Sequence, residues 1–470
     1  MEGPLARLET PTMIGLEKGD LYYVEGSPKL LDEPGEWWCD ATARVLYYLP
    51  KPGEDPMGKA VLPRLDRVLV VAGRADQGEL VEHVLIRGLG MAYARWWFAP
   101  ETSSGVSGFG SPGAIGFAQA AAGAPAAVRV DGAKGLVFEG CNIFAVEGYG
   151  IELGHGCRDC VIRHTEVSDL GAGGIKIGET SIAPRAAGVT SGNVVEDCLI
   201  EDGRNIHHQA VGVWIGQSPD NILRHNKIWQ FDYTGISIGW TWGYGPATAG
   251  GNLVEFNEVC NLGDRPGRAR PPLGDMGGIY TLGTQNGTII RNNYFHDIAG
   301  KSIAWGIYFD EGTTGVLAEN NAVMNTSHGG FHQHYGKDNM VRNNLFVGGK
   351  EAALWRSRVE EHTSFTFTRN VVVGVSDTWL AGDWSKGVVL EGNLYWRPDG
   401  KAIGFPGGRD LAAWQAAGFD KGSVIGDPAF TAPEDGDFFP GEPTAMDQIG
   451  FEPVSVRRVG PRRAGKGTSK

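Results

Sequence analysis

The sequence predicts an all-β protein, built as a parallel β-helix with a small N-terminal antiparallel β part and a C-terminal cap. Runs of the form apolar–apolar–x–x–Asn–x–apolar recur between residues 134 and 396, with a base period of about 23–24 residues and several insertions. That period suits one coil of a parallel β-helix better than a 33-residue helical repeat. The same segments alternate apolar and polar residues with a period of two, whereas helical repeats have a period of 3.6.

One column of the repeat consists mainly of asparagine. Asparagines stacked at a bend can hydrogen-bond from coil to coil with the backbone, and ten equivalent positions cannot all be catalytic. We therefore interpret this column as structural. Its members are Cys141, Thr165, Cys198, Asn226, Asn257, Asn293, Asn321, Asn344, Asn370 and Asn393.

The chain order predicts three parts. Residues 1–130 carry short strands between turn signals, including a small antiparallel sheet within 20–50, and end in a long loop rich in Ala, Gly and Ser. Residues 131–400 form the β-helix, which we expect to be the catalytic domain. Residues 401–470 form a C-terminal cap with a short helix within 411–420, followed by a basic tail.

The composition excludes several classes of partner. The net charge is −13 and no basic stripe precedes the tail, so we expect no nucleic-acid partner, because phosphate binding needs clustered Lys and Arg. No apolar run reaches the roughly 18 residues of a membrane helix, and we expect no membrane partner. The N-terminus lacks the charged and then apolar layout of a signal peptide, and the compartment is left unassigned. We expect a monomer.

The sequence gives no strong metal or redox motif. Cys157 and Cys160 have the spacing of half a metal site, but no second pair follows, and buried free thiols are the better interpretation. His332 and His334 lack further Cys or His at ligand spacing. We therefore expect no metal and no cofactor.

A second column lies in the strand of each coil that begins with Gly and an apolar residue. The position after the apolar residue should face outward. Glycines at 154, 178, 216 and 239 should leave an open floor on this face, where solenoids bind extended ligands. Aromatic rings could stack there on sugars. We expect substrate contacts from Lys176, Trp214, Trp240, Tyr280, Tyr308, His332, His334 and Trp355.

Asp310 and Glu311 interrupt this column, in the motif WGIYFDEG, where other coils have small or neutral residues. Most glycoside hydrolases place two carboxyl groups on either side of the scissile bond, one as the acid and one as the base or nucleophile. Asp310 and Glu311 are therefore candidate catalytic residues, and His334 lies one coil later in the same column. The competing interpretation is an Asp-Glu-Gly turn whose side chains only satisfy backbone N–H groups.

Several longer motifs resemble a known family. They are LLDEPGEWWCDATARVLYYLP, GDMGGIYTLG, IIRNNYFHDI, WGIYFDEG, GFHQHYG and the closing WQAAGFD with SVIGDPAF. Between Leu30 and Gly460 the sequence resembles right-handed parallel β-helix proteins related to glycoside hydrolase family 141.

This resemblance implies hydrolysis of a plant- or algal-type oligo- or polysaccharide, with α-L-fucosidase or xylanase activity. It also implies that Asp275 pairs with Asp310. Relatives carry an additional N-terminal stretch with a leader, and are expected to be secreted or periplasmic.

Simple strand geometry opposes that pairing. If the strands were extended throughout, about seven residues at about 3.3 Å each would separate Asp275 from Asp310 along the strand direction. A glycosidase pair needs roughly 5–9.5 Å. The pairing then requires the inserted segment GDRPGRARPPLGD to fold back, and otherwise Asp310 would act with Glu311 or Asp297.

Two other functional classes remain open. A polysaccharide lyase acting on a uronate polymer would need a basic residue, for which the groove column offers Lys176, Arg356 and Arg358. A non-catalytic glycan-binding β-helix would keep the aromatic column and tolerate the loss of Asp310.

Overall fold

Three long parallel sheets run the length of the molecule, and one strand of each sheet contributes to every complete coil. The computed structural model describes residues 18, 22, 24–95, 117, 119–203, 205–264, 273–433, 436–441 and 444–462. Along the chain each coil passes from sheet I to sheet II and then to sheet III. The predicted all-β fold with a parallel β-helix is confirmed.

Sheets I and II have 11 strands each and sheet III has 12. The strands of sheet I are Leu69–Ala72, Ala126–Asp131, Tyr149–Leu153, Ile175–Ile177, Val213–Ile215, Ile236–Ile238, Met276–Thr281, Ala304–Phe309, Gly329–Gln333, Leu354–Arg356 and Leu380–Gly382. The strands of sheet II are Leu85–Arg87, Val137–Glu139, Val161–Arg163, Val194–Glu196, Ile222–Arg224, Leu253–Glu255, Ile289–Arg291, Leu317–Glu319, Asn339–Arg342, Phe365–Thr368 and Val388–Glu391. The strands of sheet III are Gly90–Ala92, Asn142–Val146, Glu166–Leu170, Leu199–Glu201, Lys227–Trp229, Glu258–Gly263, Tyr294–Ala299, Ala322–Thr326, Leu345–Val347, Val371–Val373, Leu394–Trp396 and Val424–Ile425.

Smaller elements complete the described part of the chain. The short strand pairs are Trp37–Asp40 with Val45–Tyr48, Val81–Glu82 with Ala133–Lys134, Thr313–Thr314 with Gly336–Lys337, and Phe430–Ala432 with Asp437–Pro440. The short helices are Pro28–Leu30, Ala75–Gln77, Ala186–Gly188, Leu411–Ala416 and Ala445–Gln448. The first pair is the predicted N-terminal antiparallel hairpin, and Leu411–Ala416 is the helix predicted within 411–420.

The bend between sheets II and III has a sequence signature. The residue before each column position adopts a left-handed conformation, as Asn292 and Asn320 do with φ of 55° and 56°. Asn, Asp and His tolerate that conformation better than most side chains, and Gly140 and Gly392 supply it without a side chain. The same turn therefore recurs in each coil in which such a residue lies directly before the column position.

The asparagine column is a structural ladder, as predicted. Asn293 illustrates the arrangement: its Oδ1 accepts hydrogen bonds from the backbone N and the Nδ2 of Asn257, both at 3.0 Å. Its own Nδ2 donates to the Oδ1 of Asn321, also at 3.0 Å. Cys198 occupies the column as expected, since its backbone N donates to the Oδ1 of Asn226. Buried backbone groups at the bend are thereby satisfied coil by coil.

The interior of the solenoid is apolar and continuous. Inward-facing residues such as Val259, Ile279, Phe295 and Ile307 are fully buried in one cluster that spans the coils. Cys157 and Cys160 are buried free thiols within it, as interpreted from the sequence. Among the described residues, no helix is long and apolar enough to cross a membrane.

The three-part division at residues 130 and 400 stays a prediction. The strands Leu69–Ala72, Leu85–Arg87 and Gly90–Ala92 already hydrogen-bond to later coils in sheets I, II and III. At the other end, Val424–Ile425 extends sheet III beyond residue 400. Most of the predicted loop over 95–127 and most of the inserted segment before Asp275 lie outside the described residues. All of the last eight residues lie outside them as well.

Candidate active site

The candidate site lies on the outer face of sheet I, where two neighbouring strands carry large aromatic residues. Met276–Thr281 pairs with Ala304–Phe309, and this register sets Tyr280 beside Tyr308. Tyr280, Leu282, Trp305 and Tyr308 form a small buried cluster that is separate from the core of the solenoid. This cluster supports two carboxylates, and we call the outer face around Asp275, Asp310 and His334 the groove.

Asp310 directly follows its strand, and side chains rather than backbone groups hold its carboxylate. The Tyr280 hydroxyl donates to Oδ2 at 2.6 Å, and His334 Nδ1 lies 2.8 Å from Oδ1. The Asp310 side chain is 8% exposed, while that of His334 is 31% exposed. Thr313 N donates to the Asp310 carbonyl, so the turn is closed by the backbone and leaves the carboxylate to the groove.

Asp275 lies at the start of the neighbouring strand and is fixed at two points. Its Oδ1 accepts a hydrogen bond from the Tyr308 hydroxyl at 2.9 Å. Its backbone carbonyl accepts one from the Tyr233 hydroxyl at 2.7 Å, and Gln119 donates in turn to Tyr233. Each carboxylate therefore accepts a hydrogen bond from one of two tyrosines whose rings meet edge to face.

The strand that carries Asp275 is bent, so the assumption of an extended strand behind the opposing estimate does not hold. A Cβ on Gly277 would lie 2.8 Å from the carbonyl oxygen of Ile279 and 3.2 Å from Cβ of Tyr308. Such close approach across two residues does not occur in an extended strand, and only glycine permits it. Asp275 itself is left-handed, with φ of 57°. The bend at Gly277 lies two residues after Asp275, whose Oδ1 accepts the hydrogen bond from Tyr308.

The electrostatics of the two carboxylates are coupled. Asp275 is exposed as a residue, yet desolvation of its carboxylate raises its pKa above the usual value for Asp, and repulsion from Asp310 adds to that rise. The hydrogen bond from Tyr308 acts in the opposite direction. Desolvation, followed by the charges of Asp310 and Asp275, raises the pKa of Tyr308 well above 10, so this tyrosine remains a donor.

His334 and Glu311 extend the site on the side of the next coil. The hydrogen bond to Asp310 raises the pKa of His334, and burial opposes that rise. The Tyr335 hydroxyl donates to Oε2 of Glu311 at 3.0 Å, and the Arg358 guanidinium lies 4.1 Å from the Tyr335 ring centre. Glu311 is thus oriented by Tyr335 beside the pair, rather than by the backbone of its own turn.

The sequence predicts that Tyr280, Tyr308 and His332 contact substrate on the open groove, whereas the structure buries all three. They are 1%, 3% and 2% exposed, because their rings pack against one another and against Trp305, which stacks on His332 with ring centres 3.8 Å apart. Burial lowers the pKa of His332 well below 6.5, and its Nε2 lies 2.6 Å from the Ser357 hydroxyl. Trp355 is half-buried at the edge of the same cluster.

Lys176, Trp214 and Trp240 do not form an open aromatic and basic floor. Lys176 is buried, lies 3.0 Å from Glu152 Oε1, and donates to the Ala122 and Ala124 carbonyls of a segment that covers this end of sheet I. Trp214 and Trp240 are buried edge to face against each other. The alternating pattern identified the outer face, but could not show that other parts of the chain cover it.

The glycines of this face permit close packing instead of leaving space. A Cβ on Gly216 would lie 2.3 Å from the Trp214 ring, and one on Gly154 would lie 2.3 Å from the Arg129 guanidinium. The aromatic residues that remain accessible on the loop after residue 239 are Trp242 and Tyr244, which are 39% and 45% exposed.

Two alternative site residues lie elsewhere. Asp297 belongs to a strand of sheet III, where it bonds to His296 Nδ1 and to Asn325 and is remote from Asp310 in the coil. Arg356, considered as a base, is buried and donates to the Asp383 and Lys386 carbonyls. Arg358 is exposed and lies against Tyr335.

The sequence interpretation missed four residues of the site: Gln119, Tyr233, Trp305 and Tyr335. Trp305 and Tyr335 lie within the motifs WGIYFDEG and GFHQHYG and could have been found as neighbours of Asp310 and His334. Gln119 and Tyr233 are distant in sequence and carry no periodic signal.

Comparison with known proteins identifies the fold. The family described as "Right handed beta helix region" matches residues 126–241 and 247–394. A solved structure titled "Glycoside hydrolase" is similar, with a TM-score of 0.55 and 21% identity, over 66% of this chain and 55% of the other. This chain therefore spans little more than half the length of that protein.

Two other solved structures show weaker likeness. PfbA, a surface adhesin of Streptococcus pneumoniae, has a TM-score of 0.43 and 11% identity over 73% of this chain and 76% of its own. The periplasmic alginate epimerase AlgG has a TM-score of 0.37 and 13% identity, over 63% of this chain and 63% of its own. A search of curated proteins found no match.

The family match covers more than half of the chain, and its two segments contain Asp275, Asp310, His334 and the asparagine ladder. The parallel sheets of 11 and 12 strands agree with it. The chain belongs to the right-handed β-helix family and is a right-handed parallel β-helix that resembles a glycoside hydrolase.

Proposed function

We propose that this protein is a carbohydrate-active enzyme, a glycoside hydrolase that uses Asp275 and Asp310 as its catalytic carboxyl groups. One observation carries the proposal. The two carboxylates bond to the neighbouring Tyr280 and Tyr308, and Asp310 is one cause of the raised pKa of Asp275. Environments that separate the protonation of two neighbouring carboxyl groups are the usual basis of acid and base roles in hydrolysis of glycosides.

Asp275 is the better general acid. Its raised pKa keeps it protonated at higher pH than an ordinary aspartate, and its exposure gives it access to a leaving group and to solvent. In this role Asp275 Oδ2 donates a proton to the glycosidic oxygen as the bond to the anomeric carbon breaks. Oδ1 remains bonded to Tyr308, which fixes the orientation of the carboxyl group.

Asp310 is then the base or nucleophile. Tyr280 and His334 each engage one of its oxygens, which fixes the plane of the carboxylate toward the groove. As a base it would take a proton from water as the water oxygen bonds to the anomeric carbon. As a nucleophile it would form the glycosyl–enzyme bond, and water would later release it. Tyr280 and His334 act as positioning residues for either course.

The substrate proposed is an oligo- or polysaccharide of plant or algal type, with an α-L-fucoside or a xylan as the first candidates from the family resemblance. Trp242, Tyr244 and Arg358 supply accessible aromatic and basic groups on the coils before and after the carboxylates. An aromatic face and a planar guanidinium both suit sugar rings and their hydroxyl groups. Glu311 is a further polar contact within reach of this surface.

The test is a screen of aryl glycosides, including an α-L-fucoside and a β-xyloside, together with plant and algal polysaccharides. The wild type should release product from at least one substrate, while Asp310→Asn and Asp275→Asn should lose turnover of the natural polymer by at least about 100-fold with binding retained. Asp427→Asn, the same change at an exposed carboxylate after the last strand of sheet III, is the matched control for general damage.

Two outcomes would replace the proposal. Ultraviolet absorbance from an unsaturated uronide, without reducing-sugar release from neutral glycans, would make the protein a lyase. Glycan binding that survives in Asp310→Asn, with no turnover by the wild type on any substrate, would make it a binding protein.

A further inference from the structure

A second cluster of reactive side chains lies on the outer face of sheet III, outside the groove. Glu258 and Cys260 are two residues apart on the strand Glu258–Gly263 and so face the same side, while Val259 between them points into the core. The register places His296 of the next coil directly beside Cys260. The carboxylate, thiol and imidazole thus come from two adjacent coils.

The spacing of their ligand atoms suits one small metal ion. The Glu258 oxygen, Cys260 sulfur and His296 nitrogen lie within 4.8 Å of one another. Glu258 Oε1 is 3.6 Å from His296 Nε2 and 3.9 Å from Cys260 Sγ. In a tetrahedral zinc site with ordinary bond lengths, such atoms are about 3.3–3.6 Å apart. Two of the three pairs are therefore within a few tenths of an ångström of that spacing, and the Cys260 sulfur lies within 4.8 Å of the His296 nitrogen.

The imidazole is oriented as it is in metal sites. His296 Nδ1 lies 2.7 Å from Asp297 Oδ2, so that carboxylate fixes the ring and directs Nε2 toward Glu258 and Cys260. A carboxylate behind a histidine ligand is the common outer arrangement of zinc sites. The ring also stacks on Tyr294 at 4.1 Å. Nε2 itself is buried and has no hydrogen-bond partner among the described residues.

We propose that Glu258, Cys260 and His296 bind a divalent zinc-type cation, which would link two coils of the solenoid. A thiolate with an imidazole and a single carboxylate favours Zn²⁺ or Co²⁺ over Mg²⁺ and Ca²⁺, which take oxygen ligands. Three protein ligands leave the fourth position to water. Lys227 is the competing group, because its Nζ is 2.8 Å from Glu258 Oε1; its side chain is 30% exposed and can turn into solvent.

The probe is Co²⁺ added to the full chain after treatment with a chelator, because a cobalt–thiolate bond gives a charge-transfer band in the near ultraviolet. We expect that band at one ion per chain, its loss on addition of Zn²⁺, and a rise in Tm with Zn²⁺. Cys260→Ser should lack the band, and His296→Gln should bind Co²⁺ at least about tenfold more weakly.

Cys39→Ser is the matched control, since Cys39 is exposed and belongs to the N-terminal hairpin. It should keep the band and the Tm rise of the wild type. The proposal is overturned if the folded wild type gives no band, or if Cys39→Ser loses the band. It is also overturned if Cys260→Ser folds and keeps it. If Cys260→Ser fails to fold, His296→Gln decides the matter, because a band that forms at the wild-type Co²⁺ concentration in that variant would overturn the proposal.

Discussion

The bend at Gly277 gives the sharpest test of how the two carboxylates are brought together. In Gly277→Ala the new methyl group would lie 2.8 Å from the Ile279 carbonyl oxygen, whereas ordinary contact begins near 3.4 Å. Because the clash is with backbone two residues away, the bend must open by about 0.6 Å rather than a side chain rotate. Asp275 precedes the bend and must move relative to Tyr308 and Asp310.

The size of the effect follows from that displacement. A shift of about 1 Å at a reacting group can lower the rate about 100-fold, so a shift of about half that size should lower kcat/KM about tenfold. A tenfold loss corresponds to about 1.4 kcal/mol of transition-state stabilisation. The assay is kcat/KM on the best substrate of the glycoside screen, with Tm measured in parallel. We expect kcat to fall more than KM rises, since positioning rather than binding is lost.

Gly374→Ala is the control, because a Cβ at Gly374 meets no atom within 4 Å and the residue lies after a strand of sheet III. It should retain wild-type kcat/KM. A Gly277→Ala enzyme with wild-type kcat/KM would refute the idea that this bend sets the carboxylate pair. Equal losses in both variants would refute it as well.

Three further results are expected. Tyr308→Phe removes the hydrogen bond that lowers the pKa of Asp275, so the alkaline limb of the pH–rate profile, which is set by loss of the Asp275 proton, should move to higher pH. A limb that stays or moves to lower pH contradicts the acid assignment. Asp275→Asn should raise the free energy of unfolding at pH 7, because a carboxyl group whose folded pKa is raised destabilises the fold once it ionises. The gain should vanish below about pH 3, where the carboxyl group is protonated in both the folded and the unfolded state. Urea titrations at the two pH values measure it, and a gain of equal size at low pH would contradict this linkage. Asn293→Ala should lower the free energy of unfolding by about 3 kcal/mol, because it leaves the backbone N of Asn257 unpaired. The control Asn205→Ala, at an exposed position, should change it by less than about 0.5 kcal/mol. Similar values for the two variants would contradict the structural role of the ladder.

The parts of the fold that repeat were predictable, and those that occur once were not. Asn257, Asn293 and Asn321 recur at one position of each coil, so a single physical reason, a satisfied bend, accounts for all of them. Asp310 was found because it departs from its column. The bend at Gly277 gives no periodic signal, and an extended strand was therefore the wrong basis for judging Asp275.

Burial on the outer face was also beyond the sequence pattern. An alternating strand shows which side chains leave the core, but Lys176 and Trp214 are covered by segments whose path no local pattern specifies. The tyrosines were placed on the correct face, but their edge-to-face packing with each other and with Trp305 depends on contacts that no local pattern specifies. The predicted direction was right for Tyr280, Tyr308 and His332, but it was wrong for Arg356, which shares the inward column of Phe309 and Gln333.

The central claim is that Asp275 is the acid and Asp310 the base or nucleophile of one hydrolytic pair. The most direct measurement is kcat/KM for a series of aryl glycosides whose leaving groups differ in pKa, with the wild type, Asp275→Asn and Asp310→Asn. Asp275→Asn should lose at least about 100-fold on the poorest leaving group and little on the best, which needs no proton, whereas Asp310→Asn should lose activity on all of them. Equal losses across the series in Asp275→Asn, or full activity in Asp310→Asn, would contradict this assignment.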